Sequence, residues 1–464
     1  MQMRTDYPIQ SLICITMLGS SMLVGPASLA GTSQSQAWTP SALSTRNQLQ
    51  AEKETLHLLT DPAVKAEIAK ARRALLSDPA AQTNDGRARL DHALQEWVAS
   101  LILRETGNDA EHPEILWVVD NTPHTWFGQT IPGTGVAGDN PDHIYRGAVL
   151  DGGLRYEVDG KISPHTPAQF SFELTPGTPG HPALKAQTPG HGDMGGQLGL
   201  LTNRDIQVKP DGSFSITIDS DAADGRPNHL HSEAGPLSLT IRDVLSDWQQ
   251  RPNPLSIRLV GSPPTRPPLN EAQVRALVLA DLTDYVEFWS SFKNKWLGGN
   301  LQANQIVTPF PRDGGWGYLA AGRYDLAADQ VLLITTERRG ADYTGVQITD
   351  PWMIAPDARS HSTSVNTAQA KANADGSVTY AIAPTDPGLA NWVDTAGLHQ
   401  GYVLLRWQGF PANAKPEGLL KSFRVVTYAD LQADEFKDLP RSGPVQRQAQ
   451  LAQRALEYTY RLRD

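Results

Sequence analysis

The sequence predicts a mainly β protein with helical decorations: two β-sandwich domains, a helical N-terminal segment, a long inter-domain helix and a C-terminal helix. Three observations carry this. Residues 114–262 and 305–430 alternate apolar and polar side chains with period two, punctuated by Gly and Asp turn formers. Residues 263–304 between them combine a polyproline stretch with a helix-period pattern. The flanks, residues 31–113 and 431–464, read helical.

Composition narrows the class. A chain of 464 residues has room for two large or three average domains. Its 39 Gly and 34 Pro make up roughly 16 % of the chain, above the ~12 % average and below the ~25–30 % of low-complexity chains. With 11 Trp, that describes a turn-rich, well-packed protein. The net charge of −10, with no long basic run, argues against nucleic acid as a partner.

Residues 1–30 read as a signal peptide. Arg4 precedes an apolar run from Leu12 to Val24, and Ser28-Leu29-Ala30 supplies small residues where a signal peptidase reads, so cleavage is expected before Gly31. Gly19, Ser20, Ser21 and Pro26 interrupt the apolar run, which argues against stable membrane insertion. The expected localisation is periplasmic or secreted. Cys14, the only cysteine, would leave with this segment; it follows Ile13 where a lipoprotein signal would have a small residue. The mature chain then has no disulfide, thiol nucleophile or cysteine-ligated metal.

Between Ser41 and Thr106, Asp61-Pro62 and Asp78-Pro79 divide the helical pattern into three short helices. Leu90, Leu94, Trp97, Leu101 and Leu103 form a stripe expected to pack on the β core. In the first β block, Asp151-Gly152-Gly153 separates two alternating runs, and Pro210-Asp211-Gly212 separates Ile206 and Val208 from Phe214, Ile216 and Ile218; both read as hairpins of an antiparallel sheet. Gly177–Gly196 reads as a long loop over it. After Pro263–Pro268, Asn270 with Gln273 starts a helix of ~28 residues, ~42 Å long, that Gly298-Gly299 stops. Its stripe of Val274, Leu277, Val278, Leu282, Tyr285, Trp289, Phe292 and Trp296 reads as core, with a ligand groove as the alternative. In the second β block, Asp375-Gly376 turns into Val378-Tyr380-Ile382, and Tyr402, Leu404 and Arg406 alternate. Pro440 and Pro444 precede a last helix with Arg447, Arg454 and Arg461 at seven-residue intervals, expected to be solvated or to meet acids of the same chain.

Residues Tyr343–Trp407 contain Asp350-Pro351-Trp352, Ser364-Val365-Asn366, Gln369, the run Asp386-Pro387-Gly388-Leu389-Ala390-Asn391-Trp392-Val393-Asp394, Gly397 and Arg406-Trp407. This segment resembles the C-terminal module of the exported bacterial proteins catalogued as domain of unknown function 1214. Upstream, Asp139–Arg146 and Asp211-Gly212-Ser213-Phe214 resemble the N-terminal half of longer members, so the similarity extends over most of residues 114–463. The resemblance implies jelly-roll-like β domains in envelope proteins and leaves the chemistry open. One departure is Asn228-His229-Leu230-His231, where the family pattern more often has Asn-Trp-Leu.

The residues allow three kinds of site. Asp386-Pro387-Gly388 and Asn391 read first as a tight turn. The catalytic alternative places Asp394 and His399 on one loop as an acid/base pair, with Asp357 as a second carboxylate. Arg359, Asn391, Trp392 and Arg406, with Tyr145, Arg146, Asp142 and Trp126 from the first block (His124 nearby), would bind a glycan or other small polar ligand through stacking and forked hydrogen bonds. No cofactor is expected; a divalent metal is the alternative if His229, His231 and Glu233 share one strand face. Gly314-Gly315-Trp316-Gly317 lacks a P-loop lysine and reads as a turn. The function expected first is an exported enzyme, a hydrolase or lyase, that cleaves a glycan or glycoconjugate. A non-catalytic envelope protein that binds a glycan, lipid or partner is the alternative, and a metal-dependent enzyme the third.

Overall fold

Thirteen-residue α1 (Arg46–Leu58) opens the helical layer, capped by Thr45 Oγ1 on the Gln48 amide. The computed structural model describes residues 41–178, 196–296, 301–312, 317–411 and 415–463. The signal-peptide reading, the glycine stop at 298–299, Gly314–Trp316 and most of the 177–196 loop fall outside them. The two Asp-Pro pairs act as helix starts: Asp61 accepts the Ala63 and Val64 amides ahead of α2 (Pro62–Leu75), and Asp78 accepts the Ala80 amide ahead of a short 3-10 turn. The third helix is not short. α3 (Asn84–Thr106) runs for 23 residues because it is walled in on several sides, and it packs against α4 (Glu271–Trp296).

The first sandwich uses β1 (Leu116–Val119), a small β2 (His124–Trp126) and β3 (Gln129–Ile131) ribbon, β4 (His143–Asp151), β5 (Tyr156–Lys161), β6 (Gln169–Pro176), β7 (Gly199–Thr202), β8 (Ser213–Asp219), β9 (His229–His231), β10 (Pro236–Val244) and β11 (Leu255–Leu259). One sheet has the order β1-β4-β10-β6-β7 and the other β11-β5-β8-β9. Their inner faces close a core around Leu150, Val158, Phe172, Phe214, Ile216 and Ile241. Neither expected hairpin is a hairpin. The Asp151-Gly152-Gly153 turn carries the chain from β4 in one sheet to β5 in the other, and residues 206–208 form no ladder, β8 pairing with β5 and β9 instead. A period-two pattern reports which face is buried and not whether the next strand lies beside or opposite, so alternation alone misassigns such a turn.

The second sandwich repeats the plan with β12 (Gln305–Ile306), β13 (Phe310–Arg312), β14 (Gly317–Asp325), β15 (Gln330–Thr336), β16 (Tyr343–Thr349), β17 (Ser364–Val365), β18 (Val378–Ala383), β19 (Trp392–Asp394), β20 (Gln400–Gln408) and β21 (Leu420–Thr427). Its sheets run β12-β14-β20-β16-β17, with β13 also on β14, and β19-β18-β15-β21. The helical layer packs on the outer face of the larger sheet: Leu94, Trp97 and Leu101 of α3 and Val278, Leu282 and Trp289 of α4 share one cluster with Leu319, Ala321 and Leu404. Trp97 meets Trp352 edge to face, centroids 6.0 Å apart, and Trp352 Nε1 donates to Gly86 O at 2.7 Å.

The sandwiches are joined by buried polar groups. Asp142, fully buried at the start of β4, accepts from Trp248 Nε1 (2.8 Å), Tyr343 Oη (2.9 Å), Ser364 Oγ (3.2 Å) and Asn366 Nδ2 (3.4 Å), two of the last three being supplied by strands of the second sandwich. The final helix, α5 (Pro444–Tyr458), buries its arginine stripe where solvation was an open expectation. Arg447 pairs with Asp386 at 2.9 Å, Arg454 stacks on Trp248 at 4.0 Å and donates to Ala358 O and Ser364 O, and Arg461 reaches Pro141 O. Arg447 and Arg454 lie on one side of α5 and Arg461 follows it in a 3-10 turn (Thr459–Arg461), so this one stretch of chain ties the two sandwiches together.

Candidate functional site

Successive residues of a strand point to opposite faces, so the outward side of the first sandwich's larger sheet carries Tyr145, Gly147 and Val149 of β4, Glu173 and Thr175 of β6, and Ser238, Thr240 and Arg242 of β10. This face meets α3, α4 and the second sandwich around a cavity of about 220 Å³. Thr240 stands between Gly147 and Glu173 in register, and the missing side chain at Gly147 keeps the floor low. Tyr285, Trp289 and Phe292 of α4, with Val119 and Val136, form an apolar wall. The aromatic stripe of α4 therefore serves the core and the cavity together.

Cations line the cavity as well. Arg242, Arg312 and Arg406 all line it. Arg242 lies 5.4 Å over the Tyr145 ring. Arg406, only 7 % exposed, donates to Gln347 Oε1 and to Gly138 O at 2.8 Å, both neutral acceptors. Burial, then the Arg242 and Arg406 guanidiniums, push Arg312 down to about 9, still charged at neutral pH. Burial, then Arg406 and Arg242, hold His143 well below the usual imidazole range, so it is neutral. Arg104, also on the cavity lining, pairs with Glu105 and with Asp281 at 2.7 Å.

Of the residues singled out in the sequence, Tyr145 and Arg406 come together here. The others do not join them. The Arg146 guanidinium turns away, to Asp243 and to Asn253 O at 2.8 Å. Asp142 is enclosed by its four donors. Trp126 is buried beside Trp117 and His124 and donates to Glu52 Oε2 at 2.6 Å. Asn391 bonds Lys371 N, Lys371 O and Thr379 O, and Trp392 donates to Ala383 O at 3.0 Å beneath Arg447. These are structural contacts, as is the Gly388 amide on Asp386 Oδ1 at 2.8 Å.

The expected Asp394–His399 pair does not form. Asp394 ends β19 in one sheet and His399 precedes β20 in the other, and the intervening Ala396 (φ 54°) and Gly397 (φ 80°) turn the chain between them. His399 Nδ1 bonds Leu326 O at 2.7 Å instead. Asp394 finds His361, with Oδ2 2.8 Å from Nδ1, while its Oδ1 accepts the Ala396 amide. Asp357 accepts the Arg359 amide and the Ser360 hydroxyl and acts on His361 electrostatically. Arg359 sits 5.8 Å over Tyr458. His361 escaped the sequence reading because its partner is 33 residues away and no spacing rule links them.

The hydrogen bond that His361 donates to the Asp394 carboxylate raises His361, against a smaller effect of burial. A pKa raised on folding stabilises below the unfolded value of about 6.5 and loses that contribution as pH rises through the folded midpoint. The melting temperatures of the wild type and His361→Gln should therefore differ most near pH 5.5 and converge by about pH 9; a difference constant with pH would contradict the pairing.

The metal alternative finds no geometry. His229 Nε2 bonds Asp219 at 3.1 Å, His231 Nδ1 meets Asp221 O at 3.1 Å, and among the described residues no group of three His, Cys, Asp or Glu could hold an ion. β9 ends at His231, so Glu233 does not continue its face.

Fold and cavity together define a class: two tandem β-sandwiches under a helical layer, with an arginine-lined cleft between them. Residues 346–410 match the model of the family described as "Protein of unknown function (DUF1214)", so the chain carries the segment its motifs suggested. A crystal structure of an uncharacterized protein from Burkholderia cenocepacia has the same fold, with a TM-score of 0.64 and 24% identity over 81% of this chain and 100% of that one. The VPA0106 protein from Vibrio parahaemolyticus is matched at a TM-score of 0.36 and 12% identity, over 62% of this chain and 90% of that one. The curated proteins include no match.

Proposed function

We propose that this is an exported, non-catalytic binding protein that holds a small ligand in the cleft between its sandwiches. The observation that carries the reading is the cavity itself, built from both sandwiches, α3 and α4, and combining an aromatic wall with a cluster of guanidiniums. Concave sites between packed units, mostly apolar with a few convergent polar groups, are where small ligands bind. Export rests on the N-terminal pattern, and among the described residues no helix is long and apolar enough to cross a membrane.

Trp289 reports on the site. Titration with a panel of sugars, short-chain acids and phosphate esters should give a saturable change in tryptophan emission for at least one class. Thr240→Phe, which fills the floor, should lower that affinity by about 10-fold or more without changing the melting temperature by more than a few degrees. Binding unaffected by the filled floor would place the ligand elsewhere.

Cleavage of a glycan or glycoconjugate is the second reading, favoured by the Asp394–His361 pair, whose imidazole is 41% exposed, and by Asp357 beside it. A carboxylate that orients a solvent-facing imidazole is the arrangement of a general base. Mass spectrometry of a glycan panel after incubation tests it: products lost in both His361→Gln and Asp394→Asn, with the fold retained, would favour the enzyme, and no product from any glycan would leave the binding reading.

A further inference from the structure

We propose that the ligand of the inter-sandwich cleft is a neutral ring compound with a carboxamide or lactam edge, the edge paired with the Asp139 carboxyl and the ring against Tyr285, Trp289 and Phe292. This deepens the binding reading and rests on it. Asp139 lines the cleft and is 5 % exposed, yet its Oδ1 has no hydrogen-bond partner among the described residues. A buried polar atom without a partner is uncommon in a folded protein and calls for something that supplies one. The acids that share its surroundings are engaged. Glu96 accepts the Gly135 amide at 2.8 Å and lies 3.1 Å from His92 Nε2, Asp120 accepts from Tyr458 Oη at 2.6 Å, and Asp350 accepts from Arg89 Nε at 3.1 Å. The main chain here is fixed too. The Asp139 amide donates to Val136 O at 2.9 Å, its carbonyl accepts from Gln347 Nε2, and Gly138 before it is held by Met353 O and by Arg406. The second sandwich thus holds the carboxyl in place and leaves its Oδ1 unanswered.

Burial, then the Asp120 charge, hold Asp139 well above the usual carboxylate range, against the opposite effect of Arg406. A carboxylic acid presents a donor and an acceptor side by side, and an amide edge returns an acceptor and a donor. An ammonium ligand would meet Arg406, whose charge acts on Asp139. The guanidiniums do not call for an anion either, since Arg242 and Arg312 are not free and Glu173 acts on Arg312. An apolar cavity of about 150 Å³ holds benzene. The cleft, at about 220 Å³, has room for one such ring and its amide.

Calorimetric titration of the full mature protein with benzamide, toluene, acetamide, benzoate and benzylamine separates the parts. Benzamide should bind at least about 5-fold tighter than any of the others. Asp139→Asn, which keeps a donor beside an acceptor, should hold benzamide within about 3-fold of the wild type, whereas Asp139→Leu should weaken it by about 5-fold or more and leave toluene unchanged. Without ligand, Asp139→Leu should melt at or above the wild-type temperature, because it removes a buried polar atom that has no bond to lose. A fall of more than a few degrees would show that the protein itself uses the carboxyl and would overturn the proposal. Benzamide binding undiminished in Asp139→Leu would do the same. Toluene, benzoate or benzylamine binding as tightly as benzamide would overturn the amide edge, and acetamide binding as tightly would overturn the ring. If benzamide does not bind but a sugar, short-chain acid or phosphate ester does, and Thr240→Phe blocks it, the cleft reading survives and this inference fails. If no probe of either set binds, both fail.

Discussion

Asp142→Ala is expected to destabilise the protein by about 3–5 kcal/mol, as read by urea or thermal unfolding. The side chain is fully buried, and alanine would strand the Trp248, Tyr343, Ser364 and Asn366 donors where water does not reach them. It would also remove the largest of the acidic charges that act on Arg454. Asp142→Asn should cost less, about 1–2 kcal/mol, because the amide oxygen keeps the three donors on Oδ1 and the Tyr343 hydroxyl can turn to accept from the new amide. Equal costs for the two substitutions would show that the donors are satisfied some other way.

Arg454→Ala should be of similar severity, about 3–5 kcal/mol, since it empties a buried position against Trp248 and frees Ala358 O, Ser364 O and the Asp142 charge together. Arg454→Met, which keeps the stem on Trp248, separates packing from charge and should recover part of the loss. The two residues share one buried network, so the double variant Asp142→Ala/Arg454→Met should lose less than the sum of the two singles, with a coupling of about 1–3 kcal/mol. Strict additivity would mean that the charges do not sense each other.

Legibility in the sequence followed the range of the interaction. Local rules gave the elements: the Asp-Pro pairs that cap helices, the Asn270 start of α4 and the alternation of β4 and β20 are all set by neighbours a few residues apart. Which sheet each strand joins was hidden, since β4 and β5 bury one face each whether paired or opposed. The cleft was half visible. Tyr145 and Arg406 were found as aromatic and forked donors, but no local pattern singles out Arg242 or Arg312. Only the meeting of two sheets and a helix from distant parts of the chain makes them a cluster. Asp142 and Trp126 were misread for the complementary reason: polar and aromatic types equipped for binding were consumed by buried contacts with partners more than 70 residues away.

The central claim is that the cleft, and not the His361 face, receives the ligand. Hydrogen–deuterium exchange of the full mature protein, with and without a saturating concentration of the tightest binder from the panel of sugars, short-chain acids and phosphate esters, tests it directly. Added protection is expected in 143–149, 236–244 and 285–292, the segments that line the cavity. Protection confined to 357–364 and 392–399, around the Asp394–His361 pair, would contradict the account.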